Sequence, residues 1–79
     1  MQVKATYRTS DFTEICFLMA QSIPLIEAER DGERVTFVFD DSSGICGAMV
    51  SDFCLGRDQV SATRLLHERA RALKIIRMT

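Results

Sequence analysis

The side chains with the clearest potential for binding chemistry are bases that recur near the end of the chain. In order, they are Arg64, His67, Arg69, Arg71, Lys74 and Arg77. On a helix, four of these residues fall at i, i+3, i+7 and i+10 and form one stripe: Arg64, His67, Arg71 and Lys74. Arg69 and Arg77 flank the stripe. Such a stripe can follow the phosphates of a nucleic acid, where each contact releases a counterion. The alternative, which we favour, is a solvated helix surface whose cations lie near the negative end of the helix dipole.

Cysteine and histidine offer little further chemistry. The chain contains one histidine and three cysteines, Cys16, Cys46 and Cys54. Cys46 and Cys54 lie two helical turns apart, too far to hold one zinc ion, and the chain has no Cys-x-x-Cys pair. A thiol enzyme would have to pair Cys54 with His67, which nothing in their spacing brings together. Three cysteines at apolar positions instead indicate reduced, buried thiols, so we expect no enzyme activity, no metal and no cofactor.

The composition indicates one small domain spanning residues 1–79. Hydrophobic residues make up 47% of the chain, with five Phe and no Trp. This is a high share for a chain that buries only about 60% of its surface on folding, so part of it is expected to meet a second copy or a partner. No signal peptide is visible, and the longest apolar run, residues 15–20, is far shorter than the roughly 20 residues of a membrane span. We expect a cytoplasmic protein.

The net charge of −1 conceals two regions of opposite sign. Residues 1–56 carry nine acids and four bases, a balance of −5, whereas residues 57–79 carry six bases and two acids, a balance of +4. A basic end on an acidic domain is typical of a nucleic-acid footprint, of an electrostatic partner surface or of self-complementary association. The composition as a whole is far less basic than that of a protein that coats DNA.

A β-hairpin is the strongest structural signal. Two alternating apolar runs, residues 25–30 and 33–39, flank Asp31-Gly32, a turn pair in which both residues take positive φ. This turn would place Ala28 opposite Val35. With a side-chain period of two, one apolar face then consists of Ile26, Ala28, Val35, Phe37 and Phe39. The other face would carry Glu27, Glu29, Arg34 and Thr36, with Leu25 and Val38 towards its far end.

Three further segments have helical periodicity. The first runs from about residue 11 to 22 and begins with Asp11, which has capping-box spacing from a glutamate. The second follows the capping residues at 40–43 and stops at Gly56, a residue suited to a helix end. The third runs from about residue 61 to 77. Its inward side chains are predicted to be Ala62, Leu65, Leu66, Ala70, Leu73 and Ile76.

The segment 2–8 alternates apolar and polar side chains and is expected to add a strand to the hairpin, since an isolated hairpin is only marginally stable. The order is then β-α-β-β-α-α. It predicts an α+β domain in which a small antiparallel sheet, formed by the hairpin 25–30/33–39 and the strand 2–8, is packed on one face by three helices. The sequence leaves open which hairpin strand the N-terminal strand joins.

Several fragments together resemble a known family. They are Tyr7-x-Thr9-x-Asp11 before an apolar helix, Glu29-Arg30-Asp31-Gly32 before Phe37-Val38-Phe39-Asp40, and a helix ending at Gly56 followed by Val60 and Leu73-Lys74. Over about residues 7–77, this order resembles a family of short bacterial and phage-encoded proteins known only as a domain of unknown function. The resemblance implies a compact α+β domain found near mobile genetic elements. It implies no activity and no functional residues.

These observations favour a small non-catalytic module for protein interaction or self-association, with a homodimer or another protein as partner. The alternative is a nucleic-acid-binding accessory protein that uses the basic face of the last helix. The two hypotheses differ in one observable, because phosphate binding weakens steeply with salt whereas apolar association does not. Neither a membrane contact nor a small-molecule substrate is implied.

Overall fold

The computed structural model of the chain describes residues 5–56 and 60–79. In chain order, its elements are β1 (Thr6–Thr9), α1 (Phe12–Ala20), β2 (Leu25–Asp31), β3 (Arg34–Asp40), α2 (Cys46–Cys54) and α3 (Ala62–Met78). The predicted order β-α-β-β-α-α and the small α+β fold are confirmed. Of the predicted N-terminal strand 2–8, residues 2–4 lie outside the described residues, and β1 begins at Thr6.

β3 is the central strand of a three-stranded antiparallel sheet. The strand order is β1-β3-β2, so the N-terminal strand joins β3, the partner that the sequence left open. Tyr7 in β1 lies opposite Phe39, and Ala28 in β2 lies opposite Phe37. Both phenylalanines are fully buried in the cluster that also contains residues of all three helices. The helices therefore cover the face of the sheet on which these two rings lie.

The hairpin turn lies one residue later than predicted. Asp31 pairs with Arg34, so the central residues of the turn are Gly32 and Glu33 rather than Asp31 and Gly32. Gly32 has a φ of 64°, whereas Glu33 does not have positive φ. This is the pattern of a type II′ turn, in which glycine supplies the one positive φ without strain. The predicted turn would also have forced Asp31 into the left-handed region.

The displaced turn shifts the cross-strand partners of residues 27–30 by two residues. Ala28 lies opposite Phe37 rather than Val35, so the predicted pairing is wrong. Ala28 and the apolar residues of β3 stay on the predicted face, because a shift of two residues leaves each side chain on its original side of the sheet. Val35, Phe37 and Phe39 are accordingly buried together.

A β-bulge near the start of β2 overturns the predictions for Ile26 and Leu25. Leu25 pairs with Phe39 and Glu27 pairs with Val38, so Ile26 is an extra residue between the two pairs. An extra residue reverses the alternation of side chains along the strand. Leu25 therefore packs against the core, although we expected it on the outer face, and Ile26 is 48% exposed, although we expected it inside.

Asp11 caps the start of α1 as predicted, but the Glu14 side chain does not return the bond to the Asp11 N–H that would complete a capping box. Asp11 Oδ1 accepts a hydrogen bond from the Glu14 backbone N–H at 3.0 Å. The Glu14 carboxylate accepts from the Tyr7 hydroxyl at 2.7 Å, and Thr9 Oγ1 accepts from the Asp11 N–H at 3.1 Å. Because Glu14 bonds to Tyr7, the cap of α1 also fastens the helix to β1.

α1 ends two residues before the predicted position, in a Schellman motif. The Ile23 N–H donates to Leu18 O at 3.2 Å, and the Ser22 N–H donates to Met19 O at 3.0 Å. Ser22 stands where this motif usually has glycine. Its φ is 62°, and no other non-glycine residue in ranges 5–56 and 60–79 has positive φ. A left-handed serine costs about 1–2 kcal/mol, a strain that glycine would avoid.

The ends of α2 follow the sequence signals. Asp41, one of the predicted capping residues, accepts a hydrogen bond from the Cys46 N–H at 3.0 Å. At the other end, the Gly56 N–H donates to Phe53 O at 3.0 Å, and Gly56 has a φ of 74°. Glycine therefore ends this helix as the sequence predicts.

α3 is rotated about its axis relative to the prediction. Leu65 and Ile76 pack against the core as expected, but the buried positions between them are Glu68 and Ala72. The predicted inward residues that are exposed instead are Ala62, Leu66 and Ala70. α3 has apolar residues on two sides, and only one side can face α1. The fully buried Ala72 has the smallest side chain of that side, which suits a close approach of the two helices.

Arg30 joins the hairpin to the last turn of α3. Its Nε donates to Thr79 O at 2.9 Å, and its Nη2 donates to Ile76 O at 2.9 Å. Its Nη1 donates to Gly32 O in the hairpin turn at 3.2 Å. One guanidinium therefore connects the hairpin turn to two carbonyl groups at the end of α3, where backbone carbonyls lack the i+4 donors of a continuing helix.

Phe17 lies at the centre of the helical layer. It is fully buried and stacks on Phe53 of α2, with ring centroids 4.3 Å apart and an interplanar angle of 11°. On α1 the neighbouring residues Ile15 and Leu18 are also fully buried, so α1 is covered on more than one side, as its broad apolar face predicts.

We expect Phe17→Ala to lower the free energy of unfolding by about 3–5 kcal/mol, because it removes buried surface and leaves a cavity. Leu66→Ala is the matched control: the residue is 66% exposed, so the change is expected to stay within about 0.5 kcal/mol. Urea denaturation followed by circular dichroism measures both. Equal losses for the two variants would contradict the position of α1 in the core.

Candidate interaction surface on α3

Three of the six predicted contact bases are held by the protein's own fold. Arg64 Nη2 donates to Ser22 Oγ at 2.5 Å. Arg71 Nη1 donates to the buried Glu68 carboxylate at 2.7 Å. The Arg69 guanidinium lies over the Phe12 ring, 5.9 Å from its centroid. Arg71 therefore stabilises a contact within α3, whereas Arg64 and Arg69 contact residues in α1 or directly after it.

The other three bases point to solvent. His67, Lys74 and Arg77 are exposed, and the described residues offer His67 and Lys74 no hydrogen bond or ion pair. They lie on the same helix as the three engaged bases, but the predicted stripe is not uniform. Its members Arg64 and Arg71 line a cleft on the side of α1, whereas His67 and Lys74 face outwards.

An exposed apolar row runs along α3 beside these bases. We call it the α3 row and define it as Ala62, Leu66, Ala70 and Leu73, which recur at i, i+4, i+8 and i+11. The first three are exposed and Leu73 is half-buried. Leu66, the fifth residue of this 17-residue helix, is 66% exposed, which is high for a leucine. The row is the apolar side of α3 that the sequence predicted to be inside.

The α3 row adjoins an apolar groove between the three helices. Its volume is about 230 Å³, and α1, α2 and α3 all line it. The lining includes Phe12, Cys16, Phe53, Leu65, Leu66 and Arg69. Leu66 belongs to both features, so the row and the groove form one continuous apolar surface. Arg69 at its edge is the charged side chain of this lining.

The outer face of the sheet is polar and partly acidic. Arg8 in β1 forms an ion pair with Glu29 in β2 across the central strand. A hydrogen bond between Glu27 and Glu29 raises the pKa of the Glu27 carboxyl and lowers that of Glu29, which Arg8 also stabilises in its charged form. Val38 in the central strand lies opposite both Arg8 and Glu27 and is only 3% exposed. The charged side chains on either side therefore shield Val38 from solvent.

The three thiols differ in accessibility. Cys16 and Cys46 are buried as predicted, and none of the three forms a disulfide. The prediction of a buried thiol is wrong for Cys54, which is exposed at the end of α2. Burial raises the pKa of the Cys16 thiol. Burial and a hydrogen bond with Asp41 raise the pKa of the Cys46 thiol to about 11. The two buried thiols are therefore in their protonated, unreactive form at neutral pH.

Within ranges 5–56 and 60–79, no three His, Cys, Asp or Glu side chains are grouped so that they could hold a metal ion. Of the helices in those ranges, none has both the length and the apolar character needed to cross a bilayer.

The chain matches no protein-family model, no curated protein and no solved structure. The resemblance to a family of short bacterial and phage-encoded proteins therefore stays a prediction.

We expect Cys54 to be the cysteine that an alkylating reagent modifies in the native protein at neutral pH. Cys16 and Cys46 should react only after unfolding, because both are buried and their pKa values are raised. Intact-mass spectrometry before and after denaturation counts the adducts. Native labelling of Cys46 at the rate of Cys54 would contradict this arrangement, and a Cys54 rate far above that of a free peptide cysteine would favour a thiol enzyme.

We expect the native pKa of Tyr7 to be about 12, raised from 10.0 by burial and by the hydrogen bond to Glu14. A raised pKa means that folding favours the neutral phenol. This contribution to stability is therefore complete below about pH 10 and is lost as the pH rises towards about 12. The chain has one tyrosine and no tryptophan, so the ultraviolet absorbance of tyrosinate follows Tyr7 alone.

Glu14→Gln tests the cause of this shift. It removes the negative charge beside the phenol and should lower the native midpoint, whereas Glu33→Gln, in the exposed hairpin turn, should leave it unchanged. In urea all three proteins should titrate near pH 10. A native midpoint near 10 in the parent protein would show that the Tyr7 hydroxyl is solvated.

Proposed function

We propose that this domain is a non-catalytic protein-interaction module whose docking surface is the α3 row with the adjoining groove. The observation that carries this proposal is the exposure of Leu66, at the junction of the row and the groove. A continuous apolar surface rimmed by polar side chains is typical of an interaction site in a small soluble domain.

The pattern along α3 supports a helical or extended partner segment. The row alternates small and large side chains, with Ala62 and Ala70 separating Leu66 and Leu73. The alanines allow a partner backbone to approach closely, and the leucines supply most of the apolar area that is removed from water. Fully burying one leucine is worth about 1.5–3 kcal/mol, so two leucines and a groove can support specific binding.

The charges beside the row favour an acidic partner over a second copy of this chain. Arg69 lies at the groove edge, and His67 and Lys74 are exposed beside the row. Two α3 helices packed against each other would bring these like charges together, which is unfavourable. A partner segment with leucine-like residues flanked by Asp or Glu would match both the apolar row and its basic rim.

A nucleic-acid-binding accessory protein is the second candidate. It is supported by His67 and Lys74, which are exposed and have no partner among the described residues. It is weakened by Arg71, whose guanidinium is engaged by Glu68 at 2.7 Å, and by the position of Arg64 and Arg71 in the cleft on the side of α1. Two of the four stripe positions therefore do not face outwards with His67 and Lys74.

The test uses labelled synthetic peptides and fluorescence anisotropy. The probe is an amphipathic helical peptide with leucines at i, i+4 and i+7 flanked by glutamates, and its control carries lysines in place of the glutamates. We expect the acidic peptide to bind and the basic one not to. Leu66→Ser should weaken binding about tenfold, since burying a leucine side chain is worth at least one factor of ten. Ile26→Ser, a second exposed apolar residue located on the sheet, is the matched control.

Two further measurements test two alternative partners for this surface. Concentration-dependent dimerisation in light scattering that Leu66→Ser abolishes would assign the surface to a second copy. Salt-sensitive binding of labelled duplex or single-stranded oligonucleotides that the Arg71→Glu/Lys74→Glu variant abolishes, with no peptide binding, would assign α3 to nucleic acid. Equal binding of the acidic and basic peptides would overturn the charge argument.

A further inference from the structure

We infer that a second site, the cleft between the end of α1 and α3, binds a carboxylate attached to an apolar group. The cleft has a volume of about 400 Å³, within the range of small-molecule sites. It lies on the side of α3 that carries Arg64 and Arg71, whereas the α3 row lies on another side of the helix. Its polar side chains are Ser22, Arg64, Glu68 and Arg71, and its apolar lining includes Ile23 and Leu25.

Ser22 is the first unusual feature of this cleft. It holds a left-handed conformation at φ 62° in a motif where glycine is the usual residue. Strained backbone that persists in a structure is a sign of a side chain with a role at that position. The Ser22 hydroxyl accepts a hydrogen bond from Arg64 Nη2 at 2.5 Å, so it orients this guanidinium at the cleft.

The charge of the cleft points to a monovalent anion. Glu68 is 6% exposed and is paired with Arg71, so these two charges compensate each other. Arg64 contacts the neutral hydroxyl of Ser22, and no acid of the described residues forms a salt bridge with it. One positive charge therefore remains at the cleft. A carboxylate matches it in charge and in the fork geometry of a guanidinium, whereas a phosphate dianion would leave an excess negative charge beside Glu68.

The apolar lining specifies what is attached to the carboxylate. Ile23 and Leu25 follow the α1 turn and are half-buried, so they leave apolar surface inside the cleft. A branched aliphatic or aromatic group would cover this surface while the carboxylate meets Arg64 and the Ser22 hydroxyl. This chemistry occurs in free amphiphilic acids and at the end of a peptide chain whose last residue is apolar.

The experiment is an NMR titration of the isotopically labelled full chain. The free-acid probe is N-acetyl-leucine with its uncharged amide as control, and the chain-end probe is a pentapeptide ending in leucine with its amidated form as control. Inorganic phosphate alone tests for an anion without an apolar group. We expect both carboxylates to shift the amide signals of Ser22, Ile23 and Arg64, and the amides and phosphate not to. The carboxylate probe that binds more tightly shows whether the cleft prefers a free acid or the end of a peptide chain.

Three variants locate the site. Arg64→Gln should weaken the carboxylate at least about tenfold, since it removes a charge-assisted hydrogen bond. Ser22→Gly should also weaken it, because the hydroxyl is lost while the positive φ is tolerated. Arg69→Gln, on the same helix but in the apolar groove, should leave binding within about twofold. Binding of the amides as tightly as the acids, equal loss in Arg64→Gln and Arg69→Gln, or no shifts at millimolar probe would overturn the inference.

The outcome is independent of the proposed function. Leu66→Ser is expected to weaken binding of the acidic peptide about tenfold but to leave carboxylate binding unchanged, because Leu66 does not line the cleft. Each site can therefore fail its own test while the other passes. Loss of carboxylate binding in Leu66→Ser would place the carboxylate in the groove and refute the cleft.

Discussion

The contact between β3 and α1 is the interaction on which the rest of the structure depends. β3 pairs with both other strands and presents Phe37 and Phe39 to the helices, while α1 is buried over its last six residues. The other elements add to this contact: β1 through Tyr7 and Glu14, and α2 through the stack of Phe53 on Phe17. A chain of 79 residues has a small hydrophobic core, so the burial of these aromatic rings contributes a large part of its stability.

The dependence on β3 explains which parts of the fold the sequence could predict. Alternation along 34–40 and helical spacing along 12–20 are strong signals because both faces of this contact must be apolar. The hairpin pairing was harder, because a shift of two residues keeps every side chain on its face and hydrophobicity cannot distinguish the two registers. The choice between the two registers depends on the turn, and the sequence is compatible with two turns, one whose central residues begin at Asp31 and one whose central residues begin at Gly32. The bulge at Ile26 has no periodic signal, so Leu25 and Ile26 could not be assigned to their faces.

The functional surface was less predictable than the fold. Periodicity showed that α3 has apolar and basic positions, but it could not show which of two apolar sides α1 would cover. The small side chain of Ala72 and the pair formed by Glu68 and Arg71 favour one rotation, and they become visible only when α1 and α3 are placed side by side. Ser22 could not be recognised because sequence rules associate the end of a helix with glycine. Its contact with Arg64 joins residues 42 positions apart, beyond the reach of any local pattern.

The three hydrogen bonds of Arg30 have a consequence for how the molecule opens. They fasten the last turn of α3 to the hairpin, while the contact of Arg64 with Ser22 fastens the first turns to the end of α1. A surface helix held at one end frays from the other, but a helix held at both ends has no free end from which to unwind. We therefore expect the backbone amides of α3 to exchange their hydrogens with solvent in cooperative events shared with the sheet, as in a domain that unfolds as one unit rather than as a sheet with a detachable helix.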